Sequence, residues 1–295
     1  MDKLIAFLSE RPFVLGDGAM GTMLQEAGLE SGGAPELWNV ERPEVIRGIY
    51  RGYADAGSQV ITTNTFGGTS YRLGRDNMSG RVRELNVAGA WLAREVADAA
   101  GRPVLVAGDI GPTGEIFAPL GALQPEDAQA AFAEQAAALA EGGADFFLIE
   151  TMSALEEVEA AIHGIRSASD LPIAATMTFD THFRTMMGVK PAQALKALYG
   201  LGVRVIGANC GNGPAEIERI MSEMVAVKPD DVFLIAQSNA GLPKYDQGVI
   251  RYDGTPEVMA EYALKMRGLG VRYIGACCGS TPAHIAAMKA ALGAQ

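Results

Sequence analysis

The residues with the most distinctive chemistry in this sequence are its three cysteines. Cys210 lies in the phrase VRVIGANCG at residues 203–211, and Cys277 and Cys278 lie in the similar phrase VRYIGACCG at residues 271–279. In each phrase an apolar run with strand character ends in cysteine and then glycine, which permits close approach of the backbone. Adjacent cysteines rarely form a disulfide without strain, so a bridge between Cys277 and Cys278 is not expected.

Two interpretations of these thiols follow from the residues. A buried cysteine ordinarily packs as a small hydrophobic side chain. If the two strand ends meet instead, three thiolates in one place would repel one another unless a cation neutralised them. Zinc matches such a cluster, because it binds thiolates well and three protein ligands leave one tetrahedral position open. An open position suits a thiol substrate, which zinc would hold as the thiolate, and methyl transfer to that sulfur fits this chemistry best.

The elements that would position the cysteines follow from a repeated pattern. A short apolar run rich in β-branched residues leads to a polar or Gly-rich turn and then to a stretch with helical periodicity. The predicted strands are residues 13–17, 59–64, 104–109, 146–151, 173–179, 203–210, 232–239 and 271–278. The predicted helices are residues 43–57, 81–100, 125–143, 154–169, 191–202, 214–227, 256–270 and 282–292. Eight such units predict an α/β fold in which a parallel sheet closes into a single (β/α)8 TIM barrel, with residues 1–295 as one domain.

An open doubly wound sheet is the alternative, and it would place a phosphate-binding turn after the first strand. The letters GDGAMG at residues 16–21 have the glycine spacing of that turn. Asp17, however, would place a carboxylate beside the pyrophosphate. No acidic residue ends a second strand about 20 residues later, as a dinucleotide site would require. The barrel is therefore favoured over a nucleotide-binding fold.

In a (β/α)8 barrel the active site lies at the carboxyl ends of the strands. Those ends are polar or reactive in this sequence: Asp17, Asn64, Asp109, Glu150, Thr151, Asp180, Asn209, Cys210, Asn239, Cys277 and Cys278. Long loops are predicted on the same face at residues 18–42, 110–124 and 240–255. Such loops fit a site that covers a small substrate.

Composition excludes several classes of protein. The chain has 24 basic and 35 acidic residues and a net charge of −11, which argues against a nucleic-acid-binding or anionic-membrane-binding surface. No stretch approaches the roughly 20 apolar residues that a membrane span needs. The first ten residues are too short and too charged for a signal peptide, and an odd number of cysteines argues against a disulfide framework. A cytoplasmic protein is predicted.

The sequence resembles the homocysteine S-methyltransferases, a barrel family that includes betaine–homocysteine methyltransferase and the homocysteine module of cobalamin-dependent methionine synthase. The resemblance covers nearly the whole chain, and its motifs are GDGAMG (16–21), TNTFG (63–67), GDIGPTG (108–114), IETM (149–152), GANCG (207–211), NAGLP (239–243) and GACCG (275–279). It implies that Cys210, Cys277 and Cys278 are zinc ligands and that the substrate is L-homocysteine.

The resemblance also implies that Asp17, Gly18 and Glu150 hold the amino-acid end of homocysteine, with Asp17 and Glu150 as the catalytic carboxylates. Either carboxylate can pair with the substrate ammonium, and backbone N–H groups near Gly18 can receive the substrate carboxylate. The alternatives are that Asp17 caps a helix and that Glu150 pairs with an arginine. Further polar residues could touch the ligand or brace the loops: Asn64, Thr65 and Asn209.

The methyl donor is left open between two classes. The first class is betaine or a similar small onium compound. A quaternary ammonium calls for an aromatic cage. Animal betaine enzymes have a tyrosine where this chain has Gly67, which argues against betaine. The phrases at 31–39, 67–71 and 184–188 nevertheless resemble bacterial proteins described as betaine–homocysteine methyltransferases. The alternative is a homocysteine-binding subunit of a split cobalamin-dependent methionine synthase, which takes the methyl group from a separate methylcorrinoid protein. A non-catalytic barrel subunit is a third hypothesis, which the presence of all three cysteines, Asp17 and Glu150 disfavours.

Overall fold

The computed structural model describes residues 2–30, 32–246 and 249–294. Its strands are β1 (Val14–Leu15), β2 (Val60–Thr62), β3 (Leu105–Ile110), β4 (Phe146–Met152), β5 (Ile173–Met177), β6 (Val205–Cys210), β7 (Phe233–Ser238), β8 (Pro243–Asp246), β9 (Val249–Tyr252) and β10 (Tyr273–Ala276). Its helices are α1 (Lys3–Ser9), α2 (Met20–Glu26), α3 (Trp38–Glu41), α4 (Pro43–Ala56), α5 (Ser70–Gly74), α6 (Val82–Ala99), α7 (Pro125–Glu141), α8 (Leu155–Ala168), α9 (Pro191–Gly200), α10 (Pro214–Val225), α11 (Pro256–Gly268) and α12 (Pro282–Gly293). Of the segments singled out in the sequence, 31–39 includes Ser31, and the loop 240–255 includes Gln247 and Gly248; these three residues lie outside the described ranges.

Eight of the strands form one parallel sheet, in the order β1-β10-β7-β6-β5-β4-β3-β2. The two end strands, β1 and β2, approach each other and nearly close the sheet. The backbone N–H of Gln59 donates to the carbonyl oxygen of Leu15 at 2.7 Å, and Thr62 N donates to the carboxylate of Asp17 at 2.6 Å. The prediction of a (β/α)8 TIM barrel is confirmed.

Each predicted strand and helix has a counterpart in the structure, and several smaller elements were not predicted. The helices α1, α2, α3 and α5 are at most seven residues long, too short to show helical periodicity clearly. Strands β8 and β9 pair antiparallel as a hairpin inside the predicted loop at 240–255. The eighth strand of the barrel is therefore β10.

The interior of the barrel is closed at its amino-terminal end. Leu4, Phe7 and Leu8 of α1 pack in one buried cluster with inward-facing strand residues such as Phe146 and Tyr273. A larger cluster fills the layer between the sheet and the surrounding helices. Because α1 covers the amino-terminal end of the barrel, the carboxyl ends of the strands are left as the open face on which a site can form.

Among the described residues, no helix has the length and the apolar character that crossing a membrane would require.

The close approach of β6 and β7 generates a stability prediction. A Cβ on Gly207 would lie 1.7 Å from the carbonyl oxygen of Ile235, so an added methyl forces the paired strands apart. We expect Gly207→Ala to lower the free energy of unfolding, measured by urea titration, by at least about 2 kcal/mol. The matched control is Gly48→Ala on the exposed face of α4, where nothing lies within 4 Å of an added Cβ. That variant should gain about 0.5–1 kcal/mol, and equal effects of the two substitutions would contradict this account of the sheet.

Candidate metal centre and substrate cavity

The three cysteines converge at the carboxyl end of the barrel. Cys210 is the last residue of β6, and Cys277 and Cys278 directly follow β10. Strands β6 and β10 are both neighbours of β7, which brings their ends to the same part of the mouth. The three Sγ atoms lie within 4.8 Å of one another, with 2.8 Å between Cys210 and Cys277 and 3.9 Å between Cys277 and Cys278. All three thiols are free and partly exposed.

Unusual backbone geometry holds the cluster together. Cys210 has φ 59°, in the left-handed region that costs a residue with a Cβ about 1–2 kcal/mol. Next to it, Cys277 N donates to Ser238 O at 2.7 Å, and Ala240 N donates to Cys278 O at 2.9 Å. Such strain persists where surrounding contacts enforce it, and it occurs most often at functional sites.

The donor set fits a thiophilic metal. Hydrogen bonds from Cys210 and Cys277 lower the pKa of Cys278 to about 3, whereas the hydrogen bonds of Cys277 to the other two thiols raise its own pKa well above its usual range. Without a metal the cluster therefore shares protons around one thiolate. Zinc–sulfur bonds of about 2.3 Å in a tetrahedron separate the sulfurs by about 3.8 Å. The pair Cys277–Cys278 matches this spacing, and Cys210 would move from Cys277 by about 1 Å to reach it.

Asn209 braces the cluster from behind. Its side chain is fully buried; Oδ1 accepts from Thr151 N at 2.9 Å and from Thr176 Oγ1 at 2.8 Å. Its Nδ2 donates to Thr151 Oγ1 at 2.7 Å and to Cys210 Sγ at 3.4 Å. Thr151 itself has φ 63°, next to a register shift in the pairing of β4 with β5. The sequence offered two roles for Asn209, contact with the ligand or bracing of the loops, and these hydrogen bonds are of the bracing kind.

A cavity of about 540 Å³ opens beside the cysteines, and it brings together most of the residues singled out in the sequence. Its wall includes the three cysteines, Asp17, Gly18, Asn64 and Glu150. Asn64 Nδ2 is bound to Pro35 O at 2.8 Å and to Asn39 Oδ1 at 2.9 Å, which ties a mouth loop to β2. Thr65 is not part of the wall: it is fully buried and donates to Asp109 O at 2.8 Å.

The two carboxyls named from the sequence have different environments. Asp17 does not cap a helix, since the residue at the start of α2 is Ala19; both Asp17 oxygens accept from Thr62 instead. Glu150 makes no side-chain hydrogen bond or ion pair with any residue in the described ranges, so the alternative of an arginine partner is not what the structure shows. Burial raises the pKa of Asp17 to about 6 and that of Glu150 to about 8.

Two further buried carboxyls line the cavity and were not assigned a role from the sequence. Asp109 ends a predicted strand, and this position could have marked it as a candidate site residue. Its Oδ1 is buried without a hydrogen-bond partner in the described part of the chain. Burial, followed by the charge of Glu150, raises the pKa of Asp109 well above its usual range. Glu36 lies in a single 3₁₀ turn within the phrase at 31–39 and accepts from Gly67 N at 2.6 Å. The cavity is therefore rich in buried acids.

Tyr252 and Gly18 show how tightly the mouth is packed. A Cβ on Gly18 would lie 2.5 Å from Ser280 Oγ, which explains the glycine there. The ring of Tyr252 covers Gly279, where a Cβ would lie 2.3 Å from Tyr252 Cγ, and its hydroxyl reaches Cys278. Tyr252 was missed from the sequence because the hairpin that carries it was not predicted.

The raised pKa values generate a prediction about metal-free protein. Glu150 titrates at 4.5 in an unfolded chain and at about 8 in the fold, so the folded state binds more protons in this interval and loses stability as pH rises through it. Glu150→Gln removes this titration. We expect the free energy of unfolding of the variant, relative to wild type, to increase between pH 5 and pH 8, as measured by urea titration at both values. A difference that stays constant with pH would contradict the burial of an acidic Glu150.

Comparisons with known proteins agree with this geometry. The family model of homocysteine S-methyltransferase matches residues 14–292. The methionine synthases of Mycobacterium tuberculosis and Mycobacterium leprae are 36% and 35% identical to this chain over 306 residues, covering 98% of it. The chain spans 25% of the length of each.

Solved structures of a homocysteine methyltransferase are also similar to this chain. The homocysteine methyltransferase MmuM from Escherichia coli, in its oxidized form, superposes with a TM-score of 0.82 at 26% identity over 98% of this chain and 99% of that one. Its metallated form gives a TM-score of 0.78 at 26% identity over 97% and 98% of the two chains. The family match at residues 14–292 covers the barrel strands and both cysteine phrases. The chain belongs to the homocysteine S-methyltransferase family.

Proposed function

We propose that this protein transfers a methyl group from a small onium compound to the thiol of L-homocysteine and that Cys210, Cys277 and Cys278 hold the zinc ion it needs. The observation that carries the proposal is the convergence of three thiols within 4.8 Å on the wall of a cavity. Family membership supports the substrate, and the metallated form of MmuM supports a metal at the cysteines.

The acids of the cavity would bind the amino-acid end of homocysteine. Glu150 has no partner among the described residues and is mostly protonated at pH 7, because burial raises its pKa. An ammonium group beside Glu150 would stabilise its carboxylate form, so Glu150 would release its proton as the substrate binds. Asp17, fixed by two hydrogen bonds from Thr62, would supply a second, immobile acceptor. The resulting ion pairs would orient the substrate with its thiol toward the cysteines.

The transfer itself is a displacement at a methyl carbon. A bound zinc ion would lower the pKa of the homocysteine thiol and so supply the thiolate at neutral pH. The homocysteine sulfur forms a bond to the methyl carbon while the bond from that carbon to the donor nitrogen or sulfur breaks. The donor takes the electron pair and leaves as a neutral amine or thioether. The cavity wall contributes by holding the two reactants in contact and in line.

The acidic side chains on the cavity wall favour a cationic donor, which would stabilise their carboxylate forms. Acidic side chains outnumber basic ones on the wall, at Asp17, Glu36, Asp76, Asp109 and Glu150 against Arg72 and Arg75. A quaternary ammonium is ordinarily held by an aromatic cage, yet Phe66 is the sole aromatic residue among the described residues that line the cavity. We infer that carboxylates, rather than aromatic rings, stabilise the positive charge of the donor.

One observation favours the split methionine synthase as a second candidate. Large apolar side chains are exposed on loops that follow β3, β5 and β7, at the same mouth as the cavity: Ile116, Leu120, Met186, Met187 and Leu242. A methylcorrinoid protein that docked over the mouth would cover such side chains. In that case the onium compound would be replaced by the methyl group of the corrinoid.

Metal content tests the first part of the proposal. Protein purified under reducing conditions should contain about one zinc ion per chain by elemental analysis. Cys278→Ala should lose the metal and the methyl transfer activity while keeping its helical circular dichroism, because the fold has an extensive apolar core of its own. The control is wild-type protein stripped with a chelator and reloaded. Unfolding of the variant would show that the metal is structural, and metal-free active wild type would refute the zinc assignment.

Donor identity tests the second part. Zinc-loaded protein and L-homocysteine are incubated separately with betaine, S-methylmethionine and methylcobalamin, and methionine is quantified. We expect methionine from a small onium donor without a second protein. Methionine formed only when a methylcorrinoid protein is added would favour the split synthase. No methionine under any condition would favour a non-catalytic subunit.

A further inference from the structure

Two arginines lie on the cavity wall across from the cysteines. Helix α5, which follows β2, contributes Arg72, and Arg75 comes directly after it; both line the cavity. In the sheet order, β2 and β6 are four strands apart in either direction around the nearly closed barrel. The arginines and Cys210 therefore stand on opposite sides of one mouth.

The guanidinium groups of these arginines converge on one space. A Cβ on Gly114 would lie 2.6 Å from Arg75 Nη2 and 3.2 Å from Arg72 Nη1. Two positive groups in such proximity repel each other and attract an anion. Arg75 donates to Gly114 O, at 2.6 Å, and lies 3.4 Å from Glu115. These contacts use some of the five N–H groups of the Arg75 guanidinium.

Arg72 has donors to spare. Arg72 is partly buried and forms no ion pair within 4 Å among the described residues. The charge of Arg72 acts on Glu36, whose Oε1 accepts from Gly67 N at 2.6 Å. A planar guanidinium fork matches a carboxylate, which it binds through two parallel hydrogen bonds. Glu115 pairs with Arg75, so the donors of Arg72 are the ones left for a carboxylate that a ligand brings.

We propose that Arg72 and Arg75 form a carboxylate subsite at the side of the cavity opposite the cysteines. The proposal rests on the proposed function and names a feature of its ligands: one of the two reactants places its carboxylate there. We assign it to the methyl donor, because Asp17 and Glu150 lie on other strands and would take the ammonium group of homocysteine, whose carboxylate would bind backbone N–H groups near Gly18. A donor anchored by its carboxylate would present its methyl-onium group toward the sulfur on the far side.

The space available is consistent with two ligands. A cavity of about 540 Å³ lies within the range of about 300–1,000 Å³ found for drug-sized ligands, so it admits homocysteine and a small donor together. Anchoring both reactants in one cavity converts their encounter into a reaction within a complex, which is a large source of rate acceleration.

Direct binding tests the subsite independently of turnover. Zinc-loaded wild type, Arg72→Gln and the control Arg83→Gln are titrated calorimetrically with betaine, S-methylmethionine, L-homocysteine and trimethylsulfonium, which has no carboxylate. Arg83 is exposed and pairs with Glu141 outside the cavity, so its variant removes the same charge without touching the wall. We expect Arg72→Gln to weaken binding of a carboxylate-bearing donor at least tenfold while trimethylsulfonium binds as before.

The titrations with different ligands distinguish whether the methyl donor or L-homocysteine supplies the carboxylate. Weaker binding of L-homocysteine alone would support the subsite but assign it to homocysteine. Changes below twofold for every carboxylate ligand that wild type binds, or failure of wild type to bind any of them, would overturn the subsite. Because binding is measured without methyl transfer, a protein that binds these ligands normally but forms no methionine would contradict the proposed function and leave the subsite supported.

Discussion

Mutual repulsion among acidic groups in a small space is the constraint on which the rest of the site depends. Three thiols and the carboxyls of Asp17, Asp109 and Glu150 line one cavity; Asp17 and Asp109 are buried, and the other four residues are partly buried. Charges in such surroundings interact more strongly than in bulk solvent. Without bound cations, protons would relieve this repulsion: burial raises the pKa values of all three carboxyls, and the cysteines would share their protons around one thiolate. Cations bound in the cavity, a metal at the thiols and an ammonium at the acids, would take the place of those protons.

The barrel maintains this arrangement by distributing it over many strands. Cys210 and Cys277 are held by neighbours of β7, and Glu150 comes from β4 on another side of the mouth. Asn209 connects the two regions, since its amide binds both Thr151 and the sulfur of Cys210. A change at Asn209 would therefore affect the candidate metal ligands and the Glu150 strand together. The positive φ angles of Thr151 and Cys210 are further signs that the local backbone is set by the site rather than by its own preference.

Much of this could be predicted from the sequence, because the signals were local. Apolar runs ending in polar residues located all eight barrel strands, and strand order followed from the alternation with helices, so the convergence of Cys210 with Cys277 was predictable. Three features were not. The sequence did not distinguish ligand binding from loop bracing at Thr65 and Asn209, whose side chains are fully buried in the structure. The hairpin with Tyr252 lay within a predicted loop, and the contact of Arg75 with Gly114 depends on how the loop after β3 folds back. Contacts between distant loops leave no periodic pattern in a sequence.

The central claim is that three cysteines hold a zinc ion that has room for the substrate sulfur. X-ray absorption at the zinc edge counts the sulfur ligands directly, and it can be recorded before and after addition of L-homocysteine. This account predicts three sulfur ligands without the substrate and four with it, at about 2.3 Å. A sulfur count that does not change on addition of L-homocysteine, or fewer than three sulfur ligands at the start, would contradict it.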